Sequence, residues 1–309
     1  MNFSLYIVVI FSSGIFTFFI QKIFIHYKKF DGFNYRSSHD TLATRTGGIS
    51  VFLTLFCVSI YYYFHGIEIF DYSLFISLGI MFIVGVYDDF YNADFKLKFF
   101  LQIIVAKILI DQGYLISNYH GLFGLYEVPR ILAQLTTVLV FLVIVNAINF
   151  IDGIDGLAIT EIIKTIFVVE LFSQQFTPLA PLSFILIAGL LPLYYFNFKN
   201  KQKVFLGDGG SLLLGTIAAI YALYILGDDF NFKPGFTINK TLFSVLILIY
   251  PLVDLLRVFI IRIKNGDSPF KPDKNHLHHI AISNGFSHFS TNFILLLLSI
   301  TIFIFLWNY

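Results

Sequence analysis

The chain has 309 residues, of which 57% are hydrophobic and only 13% charged, with a mean hydropathy of +0.81; soluble domains carry about 25% charged residues, so a soluble globular fold is excluded. A formal net charge of +1 without a basic tail gives nucleic acid no footing as a partner. The single cysteine, Cys57, excludes an internal disulfide framework and a cysteine-built metal site.

Apolar stretches of membrane-crossing length recur from end to end. Ten spans are expected, at 3–25, 47–65, 72–87, 97–114, 130–151, 157–173, 178–196, 211–227, 241–263 and 289–307. No basic residue precedes the first stretch and Lys22 follows it, which predicts a retained span rather than a cleaved signal peptide. No gap is long enough for a soluble domain, and no strong internal repeat appears. The expected architecture is therefore all-α: a polytopic helical membrane bundle forming one domain over 1–309.

The gaps alternate in charge. Fifteen of the twenty basic residues lie in or beside gaps that follow odd-numbered spans, among them Lys28, Lys29, Arg36, Arg45, Lys96, Lys98, Lys199, Lys201, Lys203, Lys271 and Lys274. Three, Arg130, Lys233 and Lys240, lie on the other side, and Lys107 and Lys164 fall inside spans. The positive-inside rule places the odd gaps in the cytoplasm and both termini outside it. The polar clusters follow the same alternation. "NYRSSHDTLATRTGG" (34–48), "YDDFYNADFKLK" (87–98), "NAINFIDGIDGLA" (146–158), "VFLGDGGSLLLG" (204–215) and "SPFKPDKNHLHHI" (268–280) all fall in odd gaps, so one site at the cytoplasmic face can use them all.

In "YDDF", Asp88 and Asp89 close the third span. Adjacent carboxylates near an apolar boundary suit a divalent cation or a base, although a solvated helix end explains them as well. Lys98 can return to the same face and neutralise a phosphate, although Lys96 and Lys98 read equally as ordinary positive-inside anchors. In "NAINFIDGIDGLA", Asn146, Asn149, Asp152 and Asp155 recur every third residue. If helical throughout, they form a drifting stripe that rises roughly 13 Å, neutral amides deep and carboxylates nearer water. The bland alternative is a helix stop built on two Asp-Gly turns. In "FLGDGGS", Asp208 stands among glycines before the eighth span, with Ser211 as a candidate N-cap. That arrangement suits an anion at a helix N-terminus or a magnesium bridge to a diphosphate, or else a plain glycine-rich loop. In "DKNHLHH", His276, His278 and His279 with Lys274 offer donors to phosphate oxygens, which would raise the imidazole pKa values. Zinc and an ordinary interfacial loop are the alternatives; the spacing matches no common zinc pattern.

These clusters in this order resemble the polyprenyl-phosphate N-acetylhexosamine-1-phosphate transferases, glycosyltransferase family 4. The likeness runs from "RSSHDTLATRTGG" to "HLHH" and includes "PLVDLLRVFIIRIKNGDSPFKPDKNHLHH". It implies that Asp88 and Asp89 are the family's paired aspartates, with Asp88 deprotonating or positioning the lipid phosphate. It implies that Asn149 and Asp208 hold Mg2+ (or Mn2+), and that Asp152 and Asp155 are its uridine-side and active-site acids. Lys98 matches a phosphate-binding lysine, and His276, His278 and His279 match the histidine loop; Asn146 and Lys274 join the candidate substrate contacts. The implied reaction joins a UDP-N-acetylhexosamine to undecaprenyl phosphate in the lipid of the cytoplasmic membrane. UMP is released and a lipid diphosphate sugar is formed to start a cell-envelope polysaccharide such as O-antigen. The resemblance also leaves room for a homodimer. His-Leu-His-His after "PDKN" looks like the GlcNAc-1-phosphate group; the peptidoglycan translocases, which transfer phospho-MurNAc-pentapeptide, carry three consecutive histidines. The proline common before the arginine–glycine stretch is missing here. An ion-coupled transporter would place its carboxylates near the bilayer midplane, and "DGIDGLA" lacks the arginine of the CDP-alcohol phosphotransferases.

Overall fold

The computed structural model describes residues 3–30, 43–269 and 273–307. Residues 34–42 of the first basic segment, with Arg36, and 270–272, with Lys271, therefore lie outside the described residues. The α-helices are α1 (Phe3–His26), α2 (Gly47–Phe64), α3 (Leu74–Tyr91), α4 (Phe95–Asp111), α5 (Arg130–Ile151), α6 (Leu157–Phe172), α7 (Ala180–Asn197), α8 (Gly207–Leu226), α9 (Lys240–Ile247), α10 (Ile249–Lys264), α11 (Leu277–Ser283) and α12 (His288–Trp307). Among the described residues seven of them, α1, α2, α3, α5, α7, α8 and α12, are long and apolar enough to cross a membrane. The protein is a multi-pass membrane helical bundle.

Helices stand where all ten spans were expected, but three of them differ in kind. α4 and α6 have 17 and 16 residues and carry charge along their length. Lys107 pairs with Asp111 on the exposed side of α4, whereas Lys164 and Glu161 form a buried ion pair in α6. The expected ninth span is broken: α9 and α10 meet at an angle of 78°. Pro251 supplies the cause. It has no N–H for the Ile247 carbonyl four residues back, and Thr165 Oγ1 donates to that carbonyl at 3.4 Å instead. Counted as one span, the bent pair brings the membrane-crossing total to eight among the described residues.

α8 is the central post. It packs against α2, α3, α5 and α6, and nearly every one of its residues is buried. Its small residues allow that. A Cβ on Gly215 would lie 2.9 Å from the Val145 carbonyl oxygen of α5, and a Cβ on Gly48 of α2 or Gly85 of α3 would run into the backbone of Gly210 or Asp208. Close backbone approach through small residues is how membrane helices gain dispersion contact without a hydrophobic driving force. A minimal parallel ladder, which an all-α reading does not anticipate, pairs β1 (Ala43–Thr44) with β2 (Lys203–Val204). The Gly47 and Gly48 N–H groups continue it, donating to the Phe205 and Leu206 carbonyls at 2.9 and 2.8 Å. This latch fixes the start of α2 against the start of α8, and so brings Arg45 to the end of the bundle where Asp208 stands.

Candidate active site

Three helix ends converge around the N-terminus of α8. α8 begins at Gly207, four residues before the expected start. Asp208 is thus in its first turn and Ser211 is no N-cap. The reason lies in α3: Asp89 Oδ2 accepts the Gly209 N–H at 3.1 Å and caps α8 from outside the helix. Gly207 has φ +72°, and a Cβ there would fall 2.7 Å from Asp89 Oδ2, so the turn needs glycine on both counts. Arg45 Nη1 completes the corner, 3.3 Å from Asp89 Oδ1.

Asp88, one residue earlier on α3, is buried. It accepts the Ala93 N–H at 2.7 Å and pairs with Lys98 of α4, so Lys98 does return to the aspartate pair. Its other neighbour is the Asp208 carboxyl, close enough to share a hydrogen bond. Two carboxyl groups so placed repel unless a proton or a cation lies between them. From α5, Asn149 Nδ2 donates to Asp208 Oδ1 at 3.1 Å and to Ser211 Oγ at 2.7 Å. Asp88, Asp208 and Asn149 thus supply hard oxygen donors at one point, and magnesium is ordinarily held by one or two carboxylates plus substrate phosphates. Asn149 contributes its oxygen only with the amide turned over, an exchange of two nearly isosteric groups. Among the described residues no three His, Cys, Asp or Glu side chains form a closed metal cage. A cation at this set would need phosphate oxygens to complete its ligands.

α5 ends at Ile151, which breaks the predicted stripe. Asp152 is its C-cap residue and faces the cluster. Burial, and after it the charges of Asp208, Asp89 and Asp155, push its pKa well above the usual carboxylate range, with Arg45 opposing. Asp155 lies past the turn and points elsewhere. It pairs with Lys203 and lies 2.9 Å from His288 Nδ1, while its carbonyl accepts Asn292 Nδ2 at 2.8 Å. Burial alone would raise the Asp155 pKa, but hydrogen bonds from His288 and Lys203 outweigh it and hold it below the ordinary value. Asp155 thus ties the α5–α6 turn to β2 and α12. Asn146 is also drawn off: its Nδ2 donates to Gln102 Oε1 of α4 at 2.8 Å and to the Leu142 carbonyl at 2.7 Å.

The histidine loop closes over the same turn. A Cβ on Gly153 would meet His278 Nε2 at 2.5 Å and His279 Nε2 at 3.0 Å. Two partners absent from the expected set hold these rings. Asp254 of α10, fully buried, lies 2.7 Å from His276 Nδ1 and accepts the Leu277 N–H at 2.9 Å. A carboxylate only accepts, so His276 carries its proton on Nδ1. Tyr250 Oη lies 3.1 Å from His278 Nδ1, and His278 Nε2 is buried without a partner among the described residues. The pKa values run opposite to the expected rise. Burial, then the charges of His279 and His276, lower His278 well below its usual value. Burial, then His276 and Lys274, lower His279 to about 4. Lys274 itself is exposed beside this loop. Arg262 anchors the loop by donating to Asp273 Oδ2 at 2.8 Å; that contact outweighs burial and lowers the Asp273 pKa to about 2.

The sequence reading missed Asp254, Tyr250, Arg262, Lys203 and His288. Only "PLVDLLR" carried a signal: Asp254 and Arg257, three residues apart in an apolar run, share a helix face and a 3.1 Å contact.

The model of the family described as "Glycosyl transferase family 4" matches residues 71–226, which contain Asp88, Asp89, Lys98, Asn149, Asp152, Asp155 and Asp208. The chain is 32% identical over 262 residues to an undecaprenyl-phosphate alpha-N-acetylglucosaminyl 1-phosphate transferase of Pasteurella multocida, covering 82% of this chain and 71% of that one. It is 30% identical over 264 residues to the protein of that name from Haemophilus influenzae, with 82% and 71% covered. To the Salmonella typhi protein it is 29% identical over 287 residues, with 88% and 74% covered. With the family model spanning the helices that build the carboxylate cluster, the chain belongs to glycosyl transferase family 4.

Proposed function

We propose that the chain transfers N-acetylglucosamine-1-phosphate from UDP-N-acetylglucosamine to undecaprenyl phosphate at the cytoplasmic face of the inner membrane. The observation that carries this reading is the meeting of Asp88, Asp208 and Asn149 with Lys98, Asp152 and the histidine loop at the ends of apolar helices. One substrate is held in lipid and the other in water, so the reaction needs a polar site at the membrane boundary. A lipid phosphate oxygen forms a bond to the β-phosphorus of the nucleotide sugar, and the bond to the UMP oxygen breaks. Anion meets anion in that step, so positive charge and donors must offset repulsion. A divalent cation held by Asp208, Asp88 and Asn149 would supply Lewis-acid charge stabilisation at the diphosphate. Lys98 adds a fixed charge beside Asp88. Asp152, with its raised pKa, can hold a proton and donate a hydrogen bond on the donor side of the site. His279, neutral at pH 7, can donate a ring N–H to a phosphate oxygen, and His278, its Nε2 buried, packs between it and Tyr250.

Purified full-length chain incubated with UDP-N-acetylglucosamine, undecaprenyl phosphate and magnesium should release UMP and form a lipid-linked sugar. Excess chelator should stop the reaction. Asp208→Ala should lower kcat about 100-fold or more, in line with the loss of roughly 3 kcal/mol of charge stabilisation. Full turnover in chelator or in that variant overturns the metal assignment. Turnover of UDP-MurNAc-pentapeptide with none of UDP-N-acetylglucosamine overturns the donor assignment.

A further inference from the structure

Away from this site, α1 and α7 leave between them an apolar groove of about 580 Å3. Phe18 and Phe19 of α1 wall one side, Tyr195 and Phe196 of α7 the other, and Gly14 against Pro192 makes the floor. A Cβ on Gly14 would lie 3.6 Å from Pro192 Cβ, so the helices nearly touch there and diverge around it. Phe18, Phe19 and Tyr195 are exposed, and the groove opens away from the bundle. Two cations stand at one end. Lys22 Nζ lies 4.9 Å above the Phe18 ring, and Lys199 Nζ lies 4.5 Å above Phe196 and 5.8 Å from Tyr195. Both therefore rest on rings that line the groove. The two helices reach the same end together, since Gln21 Nε2 donates to the Gln202 carbonyl at 2.6 Å. Among the described residues neither lysine is paired with a carboxylate.

We propose that this groove binds an anionic phospholipid, its acyl chain against the aromatic walls and its phosphate between Lys22 and Lys199. Any lipid chain can fill an apolar groove at a membrane-facing surface. The pair of ammonium groups, held in place by the ring faces, adds selection for a headgroup of net negative charge. None of these residues contacts the carboxylate cluster, so the site is separate from the one that takes the reacting phosphate, and the inference does not depend on the transfer reaction.

The test is native mass spectrometry of the full chain in detergent, with added phosphatidylglycerol or phosphatidylcholine of identical acyl chains. Phosphatidylglycerol should be retained roughly 30-fold better, the scale set by two lysines near a lipid surface. Lys22→Gln with Lys199→Gln should bring it to the phosphatidylcholine level, and Gly14→Phe should remove retention of both. The lysines are at the surface, so their replacement tests the idea even where Gly14→Phe harms folding. Equal retention of the two lipids by the unsubstituted chain, or an unchanged preference in the lysine variant, overturns the proposal. So does displacement of phosphatidylglycerol by undecaprenyl phosphate, which would assign the groove to the acceptor.

Discussion

At the scale of single residues, the aspartates of this chain divide by what surrounds them. Asp88 and Asp208 press together, Asp89 caps a helix, Asp152 faces the cluster with a raised pKa, and Asp155 is paired with Lys203 and bonded to His288. Residue type and spacing singled out all of these aspartates, but not this division, because each partner is dozens of residues distant in the chain. Asp254 shows the same limit, lying 22 positions before the imidazole it orients. Its role predicts a kinetic signature. His276→Ala, His279→Ala and Asp254→Asn should each lower kcat about 10-fold or more with smaller changes in KM, since a charge-assisted hydrogen bond contributes roughly 1.5–3 kcal/mol. Losses confined to KM would show that the loop only binds. The His279 pKa gives a second test. Folded at about 4 and unfolded near 6.5, His279 takes up a proton more readily in the unfolded chain across that interval. It therefore removes stability as pH falls from about 6.5 towards 4. The lowered carboxyls of Asp155 and Asp273 act in a separate window. Their contribution is present above the unfolded value of 3.8 and is lost only as pH falls further. Melting temperature measured from pH 7 to 4.5 should accordingly fall less steeply for His279→Gln than for the unsubstituted chain. Parallel slopes would count against a depressed imidazole at this position.

At the scale of elements, hydropathy found the helices because a membrane span is a property of a contiguous window. It missed what depends on neighbours. Pro251 lies inside an apolar run long enough to read as one span, and the run's hydropathy hides the break at which the chain bends by 78°. The N-terminus of α8 was set four residues late because its cap is Asp89 of another helix and not a local serine. Helix α8 was also not visible as the post of the bundle, since burial on all sides and exposure to lipid select equally apolar side chains. Its glycine contacts now predict a contrast within α3. Gly85→Ala places a methyl group against the Asp208 backbone and must move α3, α8 or both. Overpacking of that kind costs about 1–3 kcal/mol, and here it also displaces the candidate metal ligand. Gly79→Ala, whose new Cβ would have Phe52 Cζ at 3.8 Å as its neighbour, meets only ordinary contact. Gly85→Ala should lower both melting temperature and UMP release, while Gly79→Ala leaves both near the unsubstituted values. Indistinguishable behaviour of the two variants would remove the close α3–α8 approach from the account of the site.

At the scale of the whole molecule, the charge asymmetry of the gaps suggested one functional face, and the contacts bring the aspartate clusters and the histidine loop to one end of the bundle. The C-terminal ends of α3 and α5 meet the N-terminal end of α8 through Asp88, Asn149 and Asp208, and α11 covers the α5–α6 turn at Gly153. These contacts do not depend on how many helices cross the membrane, so the broken ninth span leaves the single site intact. The opposite loops close on one another in the same way: His120 Nε2 lies 2.9 Å from the Leu226 carbonyl oxygen, and Thr241 Oγ1 donates to the Tyr119 carbonyl at 3.1 Å. Which end faces the cytoplasm is a matter of charge. Fifteen basic residues against three favour the end bearing the carboxylates. Cysteine labelling can decide it once the native thiol is removed by Cys57→Ala. Lys96→Cys, Lys201→Cys and Lys274→Cys, all at exposed positions around the site, should react with a membrane-impermeant maleimide in inside-out vesicles and not in intact cells. Tyr126→Cys and Asp229→Cys should show the reverse. A uniform inversion of the pattern would place the site outside the cytoplasm and leave no supply of nucleotide sugar. Labelling of position 274 from the side opposite to 96 and 201 would be more damaging, because it would separate the histidine loop from the aspartates that the fold brings beneath it.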